Sequence, residues 1–463
     1  CKDNATPAGQ FIHIAALHKH IRRFLCFRSG KTSNIPHFCV QKEVFESDIG
    51  ESYVKAVHPS GLKIYILEKP QYNSSYAIFG TKYGSIDTCF AVNGEKVSVP
   101  EGIAHFLEHK LFESEDGDAF TKYAETGASA NAFTSFDRTC YLFACSDRFY
   151  DNLAILLDFV QSPYFTAQTV SKEQGIIGQE IRMYDDSPDW RVTFNMLGAM
   201  YKNHPVKIDI AGTVESIAQI DDKLLYSCYN TFYNLSNMFI CIAGNVNTEK
   251  VLAQINGALK PSEPVEITRI GCDEPDTVQK NFVSQKMAVA YPMFCLGFKE
   301  PVSAPERTVK EKVATALLLE IIAGDASPLY KRLINAGLIN DEFGFEYFTG
   351  HGYAAVMFEG ESSDPEKVAA EIKAEIERIK TDGIDKKLFS AVRCGMYGDA
   401  VRSFNSVESI TMNLVNCAMF GCGLFDELKY LKNITAEDVL KRLQLLDADK
   451  SVLSVIEPTE EQR

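Results

Sequence analysis

Along this chain, short continuous apolar runs alternate with stretches whose apolar residues recur every three or four positions, from about residue 53 onward. Residues 61–67 and 76–80 are dense in Ile, Leu, Tyr and Phe and read as strands, and a helical apolar pattern follows Pro100. Residues 139–145 give another strand. Helical periodicity then covers 150–160 and 170–184, and 237–243 is a run of the kind buried on both faces. This part of the chain reads as α+β.

Residues 261–278 contain Pro261, Pro264 and Pro275 among many polar residues and read as a linker. Beyond it the order of elements recurs: a strand over 287–298, a helix over 307–323, a strand pair over 343–360, helices over 365–381 and 386–403, and a closing strand over 451–456. The pattern therefore predicts a duplicated α+β unit of about 200 residues. The first copy is expected over 49–260 and the second over 279–463. Residues 1–48 fit neither copy and are set apart as an extension without an assigned role, because the apolar run at 24–27 is too short for a secretory signal.

A length of 463 residues with 46% hydrophobic composition is enough for more than one core. The net charge of -15 argues against nucleic-acid binding, which needs clustered Lys and Arg. No apolar stretch reaches the roughly 18–20 unbroken residues of a membrane span, so no membrane partner is expected. The 13 cysteines are scattered without a CxxC pair, which suits reduced thiols and a cytoplasmic setting better than a disulfide framework.

The chemistry concentrates after Pro100. His105, Glu108 and His109 stand at i, i+3 and i+4, so a helix projects all three from one face. Two neutral imidazoles at that spacing can hold one zinc ion, and the carboxylate between them can take a proton from a metal-activated water. Glu108 is thus read as the general base rather than a ligand. Two surface histidines are the plainer alternative, but Ile103, Phe106, Leu107 and Leu111 make the other face apolar, as expected of a packed helix with its polar face toward a cleft. A catalytic zinc normally takes a third protein ligand. Glu173 and Glu180, seven apart on the helical stretch 170–184, share one face; spacing alone leaves a solvated pair as the plainer reading.

The segments Gly102-Ile103-Ala104-His105-Phe106-Leu107-Glu108-His109 and Gly127-Ala128-Ser129-Ala130-Asn131-Ala132-Phe133-Thr134-Ser135, with the glutamate-bearing helix, resemble the insulinase/pitrilysin or inverzincin peptidases, marked by H-x-x-E-H. The resemblance covers roughly residues 50–460. It implies two similar α/β-sandwich halves forming half of a clamshell, the second half without metal. It also implies a zinc metalloendopeptidase with one Zn2+ per chain. Glu180 becomes the third ligand beside His105 and His109, and Glu173 its acidic supporter, counted with Glu108 among the catalytic residues. Asn131 and Ala132 would bind a peptide substrate by strand addition. His204 is read as structural and His351 as a turn residue.

Self-contained members of that family carry an Arg followed seven positions later by a Tyr in the half without zinc. Here Ile339 stands seven after Arg332, and Tyr347 lies fifteen beyond it. The resemblance is nearest to paired bacterial members, so it implies a heterodimer in which a homologous partner subunit supplies the Arg/Tyr pair. A non-catalytic scaffold subunit of the same fold is the competing expectation.

Overall fold

A computed structural model of the chain describes residues 41–115, 117–301 and 307–459. Residues 1–40 of the expected extension lie outside the described residues. In chain order the first half supplies β1 (Gln41–Glu46), β2 (Ser52–Val57), β3 (Lys63–Glu68) and β4 (Ser75–Thr81). A hairpin of β5 (Cys89–Val92) and β6 (Glu95–Ser98) follows, then α1 (Ile103–Leu111) and a two-residue ladder of β7 (Glu113–Ser114) with β8 (Gly117–Asp118). Next come α2 (Ala119–Thr126), β9 (Ser129–Thr134), β10 (Thr139–Cys145), α3 (Phe149–Val160), α4 (Ala167–Asp185), α5 (Pro188–Met200) and, after further helices, β11 (Met238–Gly244). The rest of the chain adds β12 (Ile267–Arg269), β13 (Phe282–Met287), β14 (Met293–Lys299), β15 (Gly344–Gly350), β16 (Tyr353–Glu361) and β17 (Ser451–Pro458).

The duplication is written in the sheet topology. The first sheet has the order β1-β2-β3-β11-β4-β10-β9 and the second β13-β17-β14-β16-β15. In each, the closing strand inserts between two earlier ones, β11 between β3 and β4 and β17 between β13 and β14, parallel to the earlier and antiparallel to the later, and a hairpin completes the sheet. The first helix after β4 is α1, and its counterpart, the first helix after β14, is Val309–Ala323. Where α1 presents His and Glu, that counterpart is dominated by Ala, Leu and Ile and is buried through most of its length. The wider stretch Val309–Asn335 is long and apolar enough to cross a membrane, yet 67% of its most apolar window is buried inside the fold as core.

Each half also covers the other's sheet. One face of the first sheet packs on its own helices, including α1, α3 and α4. Its opposite face, through Tyr65, Ile78 and Cys241, meets the second half, whose helix Val407–Phe420 lies on β11 and β4. Reciprocally, Met196 and Met200 of α5 pack with Cys295, Met357 and Val452 of the second sheet. The approach is close enough that a Cβ on Gly297 of β14 would stand 2.6 Å from the Met196 and Met200 side chains, whose ends would have to move to admit a larger residue.

Three expected boundaries are corrected. Strand β1 falls inside the segment set apart as an extension, yet it pairs with β2 and stacks Phe45 on Tyr53 at 4.9 Å. The expected linker contributes β12, which pairs with β5 while Arg269 Nε binds Asp87 at 2.6 Å, although most of the segment remains exposed. The strand expected over 287–298 begins only at Met293: Met287 ends the edge strand β13, the chain turns over 288–292 into the sheet interior, and Pro292 just before β14 cannot donate to a ladder.

Candidate metal centre

Helix α1 starts at Gly102, whose φ of 85° suits glycine and whose missing Cβ lets the Ala211 carbonyl approach. Ser216 Oγ donates to the Glu101 carbonyl at 2.9 Å, tying this start to the short helix Val214–Ile217. Phe106 and Leu107 are fully buried, each contributing about 1.5–3 kcal/mol, and this anchors the apolar face of the helix. His105, Glu108 and His109 consequently share the face turned toward α4. That helix begins with Thr166, which forms a reciprocal cap with Thr169, and it buries Val170, Ile177 and Ile181. Glu173 and Glu180 lie beside this buried stripe.

The structure brings His105, His109 and Glu180 together, with one ligand atom from each lying within 4.8 Å of the others. His109 Nε2 is 3.4 Å from Glu180 Oε2, and His105 Nε2 is 3.7 Å from Glu180 Oε1. Two ligands about 2.0–2.1 Å from one zinc at tetrahedral angles stand roughly 3.3–3.4 Å apart, so the first distance matches that spacing and the second is slightly wider. Glu173 Oε1 meets His109 Nδ1 at 3.0 Å, which leaves Nε2 as the free donor atom. The donor set and its spacing fit zinc.

Protonation follows from burial. His105 is driven down to about 3, first by burial and then by His109, so its ring is neutral as a metal donor must be. Burial alone would lower His109, but the Glu173 hydrogen bond with the charges of Glu108 and Glu180 outweighs it and raises the ring above its ordinary value. Burial also pushes Glu173 up, and the His109 hydrogen bond and charge reverse this to a net lowering. Glu108 is raised, mainly by burial, against a hydrogen bond from Thr134 Oγ1 at 2.8 Å.

Thr134 connects the metal face to the sheet. It closes β9, an edge strand of the first sheet, which among the described residues pairs only with β10. Asn131 and Ala132 lie on this strand, and the Ala132 amide is met by the Asn131 side-chain carbonyl at 2.8 Å. Spacing along the sequence gave no sign of the Thr134 contact. The hydrogen bond from Tyr184 to Glu180 was also missed, although its i+4 spacing on a helix signals it.

Arg332 and Tyr347 occupy separate networks. Arg332 binds Glu375 at 2.9 Å and approaches Glu371, whereas the Tyr347 hydroxyl donates to Glu300 and accepts from Arg442. His204 is buried, caps the following turn through Nδ1, and meets the His351 carbonyl across the seam between halves, a structural role.

Comparison with known proteins agrees with this geometry. Residues 98–214 match the family described as Insulinase (Peptidase family M16), and residues 219–395 match the Peptidase M16 inactive domain. YmfH of Bacillus subtilis (strain 168), described as an uncharacterized zinc protease, is 43% identical over 392 residues, covering 83% of this chain and 91% of that protein. A crystal structure of an M16-like peptidase from Alicyclobacillus acidocaldarius superposes with a TM-score of 0.84 at 32% identity, covering 92% of this chain and 100% of that one. Pitrilysin shares the fold with a TM-score of 0.68 at 17% identity, with 90% of this chain matching 46% of it.

Proposed function

Because this chain belongs to the insulinase family of M16 peptidases, we propose that it is a zinc-dependent endopeptidase working on peptides or flexible segments inside a closed chamber. The observation that carries this reading is the convergence of His105, His109 and Glu180 at tetrahedral-like spacing beside Glu108, whose partner Thr134 ends a free strand edge. His105, His109 and Glu180 would hold the zinc ion, which would supply Lewis acidity toward the scissile carbonyl and lower the pKa of a water toward about 7.

The chain's own residues do the rest. A peptide adds to β9 beside Asn131 and Ala132, with strand pairing fixing its backbone. Glu108 takes a proton from water as its oxygen bonds to the carbonyl carbon, then delivers that proton to the amine when the C–N bond breaks. Burial, by holding Glu108 above the ordinary carboxylate range, brings its affinity for the proton closer to that of the water it must deprotonate. Glu173 holds His109 with Nε2 facing Glu180.

The chain acts, on this reading, as half of an assembly in a reducing cytoplasmic setting. It corresponds to just under half of pitrilysin, and Arg332 and Tyr347 are each committed elsewhere, which supports a homologous partner supplying the Arg/Tyr pair. The scaffold reading has one observation in its favour, the match of residues 219–395 to an inactive domain, but the ligand residues lie in the other matched segment. Zinc content of wild type and Glu180→Ala, with peptide cleavage measured alone and with a co-purified partner, decides. Stoichiometric zinc that falls in the variant, with cleavage by the wild type in at least one pairing, supports the peptidase; a zinc-free wild type inactive in every pairing refutes it.

A further inference from the structure

Glu180 is held by more than its place on α4. The phenol of Tyr184, one turn further along the helix, donates to Glu180 Oε1 at 2.8 Å. Its ring stacks on Trp190, the chain's single tryptophan, with centroids 4.6 Å apart and planes inclined by 20°. The Trp190 indole N–H donates to Asp209 Oδ2, and Asp209 Oδ1 accepts the Ala211 amide at 2.9 Å. Ala211 is the residue against which Gly102 closes at the start of α1. One continuous series of contacts therefore joins the helix that bears two ligands to the carboxylate that would be the third.

We propose that Tyr184 is a positioning residue for Glu180, clamped by Trp190 and Asp209. The inference rests on the metal-site reading above. A glutamate side chain free to rotate loses conformational freedom when it captures an ion, whereas one already fixed by a donor loses less. The phenol fixes Oε1, while Oε2 stays 3.4 Å from His109 Nε2, in position for a shared ion. The stack on Trp190 fixes the phenol. The Asp209 hydrogen bond fixes the indole and registers α4 against the origin of α1.

The test is zinc affinity of the full apo chain, measured by competition with a chelator and equilibrium dialysis, with Trp190 fluorescence as a second readout. Tyr184→Phe removes one oxygen and keeps the stack, so circular dichroism should match wild type. Zinc binding is expected to weaken about ten- to a hundredfold, and the change in Trp190 fluorescence that zinc is expected to cause in wild type should shrink in the variant. Trp190→Phe, read by dialysis, keeps a ring but loses the indole N–H and should weaken zinc in the same direction. Wild type that loads one zinc, with Tyr184→Phe and Trp190→Phe both binding within twofold of it, overturns the clamp alone. Wild type that takes up no zinc overturns the metal reading and the clamp together.

Discussion

Replacing Glu274 by Ala in the segment read as a linker is expected to destabilise the whole chain. Its carboxylate accepts the backbone amides of Lys202, Asn203 and His204 at 2.9, 2.6 and 2.8 Å and the Lys299 ammonium at 2.7 Å. Lys299 and Glu274 side chains are both fully shielded from solvent, so the variant strips a buried cation of its paired carboxylate and leaves it the carbonyls of Met200, Pro275 and Thr277 and the charge of nearby Asp276. Breaking such a pair costs about 3–5 kcal/mol. With an unfolding entropy of about 2.1 cal/mol/K per residue, a loss of about 3 kcal/mol lowers Tm by roughly 3 °C if all 463 residues unfold together. Urea denaturation followed by circular dichroism measures the loss. The double variant Glu274→Ala/Lys299→Met removes both charges and should recover the part of the loss that comes from the stranded cation, while the three amides stay without their acceptor. A single variant costing under about 1 kcal/mol, or a double variant no better than the single, refutes the argument.

Four further outcomes follow from the same contacts. The Lys299 hydrogen bond and the three amides overcome the upward push of burial and hold Glu274 below the usual carboxylate range, so its contribution is present above the unfolded value of about 4.3 and is lost as pH falls through the folded one. The stability gap between wild type and the double variant should therefore narrow in acid, as measured by urea titrations at successive pH values. Glu173→Ala frees His109 Nδ1 and should weaken zinc about ten- to a hundredfold by chelator competition. Thr134→Val removes a donor that lowers Glu108, so the acidic limb of the pH profile of peptide cleavage should move to higher pH. Ala132→Pro removes an amide from the strand edge and should raise KM for peptides while zinc content is unchanged.

Much of the site was legible because its spacing is local. His105, Glu108 and His109 fall within one turn of α1, and Glu173 and Glu180 within two turns of α4, so the helical period alone places each set on one face. What joins the two helices is tertiary. The 3.4 Å separation of His109 from Glu180, the Thr134 contact and the Trp190–Asp209 hydrogen bond connect residues that no period relates. The recurrent order of elements predicted the duplication, and the five-strand order that the two sheets share bears it out, with β1 and β2 added to the first alone. The exchange of α5 and Val407–Phe420 between halves was not foreseen, because an apolar stripe declares that a helix packs but not on which sheet.

The central claim is that Glu108 moves the proton for hydrolysis at a zinc held by its neighbours. The most direct test is Glu108→Gln, measured for zinc content and for peptide cleavage in whichever pairing makes wild type active. The expected result is one zinc per chain with cleavage reduced by at least about 10²–10⁴-fold. A variant that keeps wild-type cleavage, or one that loses both its zinc and its activity, would contradict the assignment of Glu108 as base.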